Sequence, residues 1–286
     1  MLQFIKTDYD TQVIKMKHKQ ITNFATLNVR GCNSREQLMD IAMDATKYKT
    51  KVLTISETHI PYSEDVYEIE TENEHGKKME YIFYASNKDK NHYHGIGILV
   101  NKTLNPMFKK INERISIVTI KENNTNTTVI AVYAPTNSNC DKTPQIREDF
   151  YDTLNGNIAK IPKRNFLVIA GDLNAKTGSG YVLYKECMGK YGKGKMNDSG
   201  KALLELCLKQ DLVITNTLFP HRLSHRTTWT APDRRYTTHD GTERRNPIRN
   251  QIDYVIIRNQ HRHLIKDSRS YGGTQSESDH KWYYAK

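Results

Sequence analysis

The chain has 286 residues, room for one large domain or two small ones at about 100 to 200 residues each, and 37% hydrophobic with 26% charged residues is the composition of a folded protein rather than a disordered one. Its 43 Lys and Arg exceed its 32 Asp and Glu, giving a formal charge of +11. The longest apolar run, residues 129–134, is far short of the roughly 18 residues of a membrane span, and the first thirty residues show no secretory signal.

The first twenty residues, rich in Lys and polar side chains, read as a poorly ordered lead-in, and residues 21–286 as one domain without repeats or linkers. Strand-length apolar runs recur at residues 21–28, 52–56, 81–85, 96–100, 115–120, 128–134, 166–170, 212–216 and 252–257. Most are continuous rather than alternating, as expected of strands buried on both faces. Helical patterns fall between them. Ser34 is expected to cap one through Leu38, Ile41, Ala42 and Ala45, and Pro144 to open a second through Ile146, Phe150, Leu154 and Ile158. Asp198 is expected to cap a third through Ala202, Leu203, Leu206 and Cys207. Helices interleaved among nine or more strands indicate an α/β architecture of two packed sheets covered by helices.

Cys32, Cys140, Cys187 and Cys207 form no C-x-x-C pair, so reduced thiols are expected rather than a zinc site or a disulfide framework. His92 and His94, in a Lys- and Asn-rich turn, read as loop residues rather than a metal pair. The basic surplus is concentrated. Between residues 221 and 270 there are ten Arg and one Lys against five acids, a net +6 in fifty residues. That density suits a polyanion, with nucleic acid the best fit, because guanidinium forks match phosphate oxygens.

The chemistry is suggested where polar residues end the apolar runs. Phe166 to Ala170 runs into Gly171-Asp172-Leu173-Asn174, which places an acid and an amide two apart and pointing the same way in extended geometry. Asn28, Glu57 and Tyr133 end other runs, Asp253 begins one, and Asp279-His280 precedes Trp282-Tyr283. Burying such groups separately is costly, which favours one shared polar cleft at one end of the sheets. Four acids, two amides, a phenol and an imidazole are an inventory for a hard divalent cation and attack on a phosphoester. Oxygen donors suit Mg²⁺ or Mn²⁺, whereas no Cys and His cluster suggests zinc.

In order, Leu27-Asn28-Val29, Ser56-Glu57-Thr58, Val132-Tyr133-Ala134-Pro135, Gly171-Asp172-Leu173-Asn174, Ile252-Asp253-Tyr254 and Ser278-Asp279-His280 resemble the endonuclease/exonuclease/phosphatase superfamily over about residues 21–285. Within it, Gly171 to Gly178, Ile214 to Phe219, Arg226 to Asp233 and Asn250 to Tyr254 are similar to the apurinic-endonuclease-like domain of non-LTR retrotransposons and its craniofacial-development-protein-like relatives. The resemblance implies a DNase I-like four-layer α/β sandwich of two mixed sheets, packed face to face and flanked by helices. It also implies a Mg²⁺-dependent endonuclease, with Mn²⁺ a plausible substitute, that nicks DNA to leave a 3′ hydroxyl.

Carried over residue by residue, it makes Glu57 a metal ligand with Asn28 beside it and Asp279 a further carboxylate, either on the metal or supporting its ligands. Asp172 and Asn174 would orient water and phosphate, Tyr133 would donate to a phosphate oxygen, Thr227 would lie near the phosphate, and His280 would contact it, oriented by Asp253. Asp172 is favoured as base and His280 as electrostatic stabiliser. Arg234, Arg235, Arg244, Arg245 and Arg249, between Thr227 and Asp253, are expected to grip the DNA backbone and minor groove.

Arg30 departs from the pattern, since apurinic endonucleases usually carry Asp at that position; abasic-site repair is correspondingly disfavoured. The expected partners are DNA and a reverse transcriptase extending the nick, with no membrane association. The protein is expected to be monomeric and intracellular, nuclear by its substrate. A retroelement polyprotein would continue past Lys286, so the chain is expected to be a fragment, a degenerate copy or a shortened gene product. Two other readings stand beside this one, a phosphatase or phospholipase of the same superfamily and a non-catalytic DNA-binding or interaction module.

Overall fold

The computed structural model describes residues 23–32, 34–60, 66–86, 95–121, 125–136, 144–231, 235–237, 243–245, 248–274 and 278–286. The expected lead-in, His92, His94 and Cys140 lie outside them. Strands β1 (Asn23–Asn28), β2 (Thr50–Ser56), β3 (Val66–Glu72), β4 (Lys78–Ala85), β5 (Ile96–Asn101), β6 (Pro106–Lys110), β7 (Ile115–Ile120), β8 (Thr127–Tyr133) and β9 (Phe166–Asp172) occupy the first part of the chain. They are followed by β10 (Leu212–Ile214), β11 (Trp229–Thr230), β12 (Arg235–Thr237), β13 (Glu243–Arg245), β14 (Arg249–Asn250), β15 (Asp253–Arg258), β16 (Ser268–Tyr271) and β17 (Trp282–Ala285).

One seven-stranded sheet runs in the order β16-β17-β1-β2-β5-β4-β3, and a six-stranded sheet runs β10-β15-β9-β8-β7-β6. Each contains one parallel pair, β1 with β2 and β8 with β9, among antiparallel neighbours, so both sheets are mixed. The ribbon β11-β14 and the hairpin β12-β13 stand apart from them.

Continuous apolar strands need cover on two faces, and the core supplies it in three layers. Phe24, Val52, Ile98 and Val100 of the first sheet meet Val118, Val129, Val168 and Val255 of the second between the sheets. Helix α1 (Arg35–Lys47) lays Leu38, Ile41, Ala42 and Ala45 on the outer face of the first sheet, against Leu53, Ile55 and Phe83. Helices α2 (Pro144–Ala159) and α3 (Asp198–Lys209) place Phe150, Leu154, Ile158, Leu203 and Cys207 on the outer face of the second. The result is the four-layer α/β sandwich. Among the described residues no helix is long and apolar enough to cross a membrane.

Local signals explain the boundaries. Ser34 begins α1 with a capping box, its hydroxyl accepting from Gln37 N–H while the Gln37 side chain accepts from Ser34 N–H. The cap of α3 is Asn197 rather than the expected Asp198: Asn197 Oδ1 accepts from Gly200 N–H, and Asp198 is the first helical residue, where its charge faces the helix N-terminus. The run at 212–216 ends as a strand at Ile214, and Thr215–Thr217 turns into a 3-10 helix. Strand β3 shows no continuous apolar run because it alternates, with Tyr67, Ile69 and Thr71 buried and Glu68, Glu70 and Glu72 exposed.

Candidate active site

Sheet register gathers the strand-end polar residues. Asp172, the last residue of β9, pairs with Tyr133 at the end of β8 on one side and with Asp253 at the start of β15 on the other. In the facing sheet Asn28 of β1 pairs with Ser56 of β2, and Glu57 follows. His280 enters just before β17, beside β1, and bridges to Trp229. Gly171 is required by this arrangement, since a Cβ there would lie 1.8 Å from the Val132 carbonyl oxygen and force β8 from β9. Glu57 (φ 53°) and Asn174 (φ 47°) take left-handed backbone conformations that typically cost about 1–3 kcal/mol and aim both side chains off their strands.

These residues converge on a cleft of about 450 Å³ whose lining includes Arg30, Glu57, Asp172, Asn174, Asp279 and His280. Asn28, fully buried, donates from Nδ2 to Glu57 Oε1 (2.7 Å) and Asp172 Oδ2 (2.9 Å), while its Oδ1 accepts from Arg30 N–H (3.0 Å). The amide nitrogen therefore clamps two carboxylates, while Oδ1, with one hydrogen bond accepted, keeps a lone pair for the ligand role expected of it. Tyr133 likewise donates its hydroxyl to Glu57 Oε1 (3.0 Å), not to an open position in the cleft. Asp172 Oδ1 accepts from Asn174 N–H (2.9 Å), and Asn174 Nδ2 donates to the Ala134 carbonyl (2.9 Å). Both oxygens of the buried Asp253 face His280 Nδ1, at 2.9 and 3.1 Å, and His280 Nε2 lies 3.9 Å from Asp172 Oδ2.

The electrostatics follow from burial and these contacts. Burial first, and then the charge of Asp253, push the Asp172 carboxyl up to about 7. Burial works against a charged His280, but Asp253, by charge and hydrogen bond, and then Asp172 and Asp279, outweigh it and push the imidazole up to about 9. Burial, then Glu57, raises the Tyr133 phenol far above its ordinary value and keeps it protonated.

The donor set fits a hard cation. Asp279 Oδ2 accepts from Arg30 Nη1 (3.1 Å) and Trp229 Nε1 (2.8 Å), whereas Oδ1 is buried and accepts no hydrogen bond. Oδ1 lies 4.0 Å from His280 Nε2, and Asp279 and Glu57 line the same cleft, so their carboxylates are the oxygen donors available there to Mg²⁺ or Mn²⁺. Asp172, Asp253 and His280 also have potential ligand atoms within 4.8 Å of one another. Because Asp253 spends both oxygens on Nδ1, we read that trio as an acid–imidazole dyad beside a carboxylate rather than a metal-binding group.

Other expected residues lie elsewhere. Thr227 is buried, with its hydroxyl donating to the Leu223 carbonyl (3.1 Å) at the end of helix α4 (Leu223–Arg226), and does not line the cleft. Arg235, Arg244 and Arg245 lie on the two strands of the β12-β13 hairpin, and Arg249 is exposed on β14. Arg234 lies outside the described residues. Several supporting residues have no counterpart among the sequence expectations. Ser278 donates to the Asn28 carbonyl (2.6 Å) and accepts from His280 N–H (3.1 Å), tying the Asn28 end of β1 to the imidazole. Thr228 Oγ1 accepts from the N–H groups of Ile252 and Asp253. Lys176 and Asn197 also line the cleft. The signal for Asn197 was its place at a helix N-cap; Ser278 and Trp229 stood inside the motifs Ser278-Asp279-His280 and Arg226 to Asp233, where no role was assigned to them.

The protein has a DNase I-like fold. No family model matches the chain. It is similar to craniofacial development protein 2 of Bos taurus, with 34% identity over 213 residues, covering 72% of this chain and 32% of that protein. The same protein of Tragulus javanicus is 32% identical over 213 residues, with 72% and 33% covered. The chain thus spans about a third of the length of these relatives.

Among solved structures, the endonuclease domain of TRAS1, a telomere-specific non-LTR retrotransposon, superposes with a TM-score of 0.61 at 15% identity, over 93% of this chain and 97% of that one. An AP endonuclease from Archaeoglobus fulgidus gives 0.62 at 15% identity, over 93% and 99%. The 3′-5′ exonuclease NExo from Neisseria meningitidis gives 0.59 at 14%, over 93% and 99%. At these identities the likeness concerns the fold.

Proposed function

We propose that the chain is a Mg²⁺-dependent DNA endonuclease, retroelement-derived, that hydrolyses one phosphodiester and leaves a 3′ hydroxyl. The observation that carries the reading is the buried Asp253–His280 pair, 2.9 Å apart, facing Asp172 across one cleft with Glu57 and Asp279. Glu57 and Asp279 would hold the ion. When bound, it would neutralise phosphate charge and stabilise the leaving oxygen.

The chain's own residues divide the remaining work by their proton affinities. His280 is an imidazolium at neutral pH, its tautomer and plane set by Asp253 at Nδ1, and presents Nε2–H to a phosphate oxygen that gains charge in the transition state. Asp172, raised to about 7, is matched to accepting a proton from the attacking water near neutrality. Asn28 and Asn174 fix its two oxygens, so the base does not rotate away from the line of attack. Tyr133 acts through Glu57 as a positioning residue.

Two features support a nucleic-acid substrate over a small phosphoester. They are the net +6 between residues 221 and 270 and the fold likeness to the TRAS1 endonuclease domain. In this reading the nick's 3′ hydroxyl primes a reverse transcriptase, and the site of action is the nucleus. Supercoiled plasmid with Mg²⁺ and then with EDTA tests the proposal. Open-circle product that appears only with the metal, and whose ends a DNA polymerase extends without phosphatase treatment, is the expected result. Ends that need a phosphatase before extension, or no nicking, would overturn it.

A further inference from the structure

Four cations converge where α4 meets the β11-β14 ribbon. Arg226, the last residue of α4, donates from Nη1 to the Tyr191 carbonyl (3.3 Å), and its buried Nε has no acceptor among the described residues. Lys193, two residues beyond Tyr191, donates from Nζ to the Arg249 carbonyl. Arg249 pairs across the ribbon with Thr230. Lys281 donates from its backbone N–H to the Thr228 carbonyl (2.7 Å) and from Nζ to the Ser224 carbonyl (3.0 Å) in α4. Each cation is thereby tied to the segment that carries another.

The other three charges act on Lys193. Among the described residues no Asp or Glu pairs with Lys193, Arg226, Arg249 or Lys281. Burial first, and then Arg249, Arg226 and Lys281, hold the Lys193 ammonium below the ordinary lysine range. Assembling like charges in partly desolvated ground is unfavourable unless an anion relieves it. The cluster flanks the catalytic cleft, since Asn250 and His280, chain neighbours of Arg249 and Lys281, both line it.

We infer that Lys193, Arg226, Arg249 and Lys281 form a second phosphate subsite, separate from the one at His280, that takes a backbone phosphodiester flanking the bond to be cleaved. The choice of a nucleic-acid strand as the source of that phosphate rests on the nuclease reading. Two guanidiniums and two ammoniums suit a tetrahedral oxyanion, the former as planar forks and the latter as adaptable point charges. Binding to the backbone carries no base readout, so the subsite sets register and affinity rather than sequence choice.

The test uses a fluorescein-labelled duplex with the full chain in EDTA, and anisotropy against salt concentration. Removing one cation that neutralises a B-DNA phosphate makes the slope of log affinity against log salt shallower by about 0.9. The Lys193→Gln/Arg249→Gln variant is expected to flatten the slope by about 2 and, with Mg²⁺, to raise KM for nicking while kcat holds. The control Lys47→Gln/Lys209→Gln, on the outer helices, is expected to match the parent. An unchanged slope in a protein that still binds and nicks DNA would overturn the subsite and leave the nuclease reading intact.

A second arm needs no DNA. Inorganic phosphate is expected to protect Lys193 and Lys281, but not Lys47, from amine acylation read by mass spectrometry. Protection by phosphate in a protein that neither binds nor nicks DNA would keep the oxyanion site and discard the nucleic-acid substrate. No protection together with no DNA binding would refute both.

Discussion

Asp253→Asn isolates the contribution of a single buried charge. In the metal-free protein His280 sits at about 9 against an ordinary 6.5, although its burial alone would lower it. Asp253 supplies the largest opposing effect, through two contacts to Nδ1 with neither group exposed to screening solvent. The amide keeps an acceptor for Nδ1–H but removes the charge, and loss of an opposite charge at this range moves a pKa by about 1–3 units. His280 in the variant should therefore titrate about 2 units lower.

The same shift sets stability against pH. A folded-state pKa raised above the unfolded value stabilises fully below pH 6.5, and the stabilisation is lost as pH rises through 9. At about 1.4 kcal/mol per unit the parent loses about 3 kcal/mol across that window, and the variant should lose little of it. The assays are a ¹³C–¹H titration of the His280 ring in EDTA and urea denaturation at several pH values. A parent imidazole titrating at or below 6.5, or equal values in parent and variant, would refute the account of the dyad.

Asp172 is raised from 3.8 to about 7, so it too favours the folded state at low pH and loses that advantage between about 4 and 7; Asp172→Asn should flatten the stability curve in that window and also narrow the higher one, because the Asp172 charge helps to raise His280, as urea midpoints will show. Ser278→Ala removes the hydroxyl that joins the Asn28 carbonyl to His280 N–H, and should cost about 1 kcal/mol of stability and about tenfold in kcat with KM little changed, checked by denaturation and steady-state nicking. Gly171→Ala forces a Cβ against the Val132 carbonyl and should destabilise by about 3 kcal/mol or more; a loss under about 1 kcal/mol would show that β8 and β9 separate freely there.

The fold was legible where one local rule dominated. Buried strands announced themselves as continuous β-branched runs, and Ser34 and Pro144 marked helix starts through capping and a preset φ. Strand β6 was not legible: it begins with Pro, carries two lysines and is an edge strand, where propensity and pattern are weakest. Strand β3 was missed as well, because it alternates and the expected strands were continuous apolar runs.

The site residues stood out because polar groups at the ends of buried strands need a common destination. Their partners did not. That Asp172 lies between Tyr133 and Asp253 is a property of sheet register, and that Asn28 bridges Glu57 and Asp172 depends on how the two sheets meet. The cluster of Lys193, Arg226, Arg249 and Lys281 joins separate stretches of chain, and only the excess of Arg between residues 221 and 270, which holds two of the four, was visible beforehand.

The most direct test of a nucleolytic centre is plasmid nicking with Mg²⁺ by Asp172→Ala and His280→Ala beside the parent, each first shown to keep the parent's near-ultraviolet circular dichroism. The expected result is a parent that nicks and two folded variants slower by at least about 100-fold, the scale of removing a general base or an electrostatic stabiliser. Folded variants that nick at the parent's rate would place the chemistry elsewhere and contradict the account.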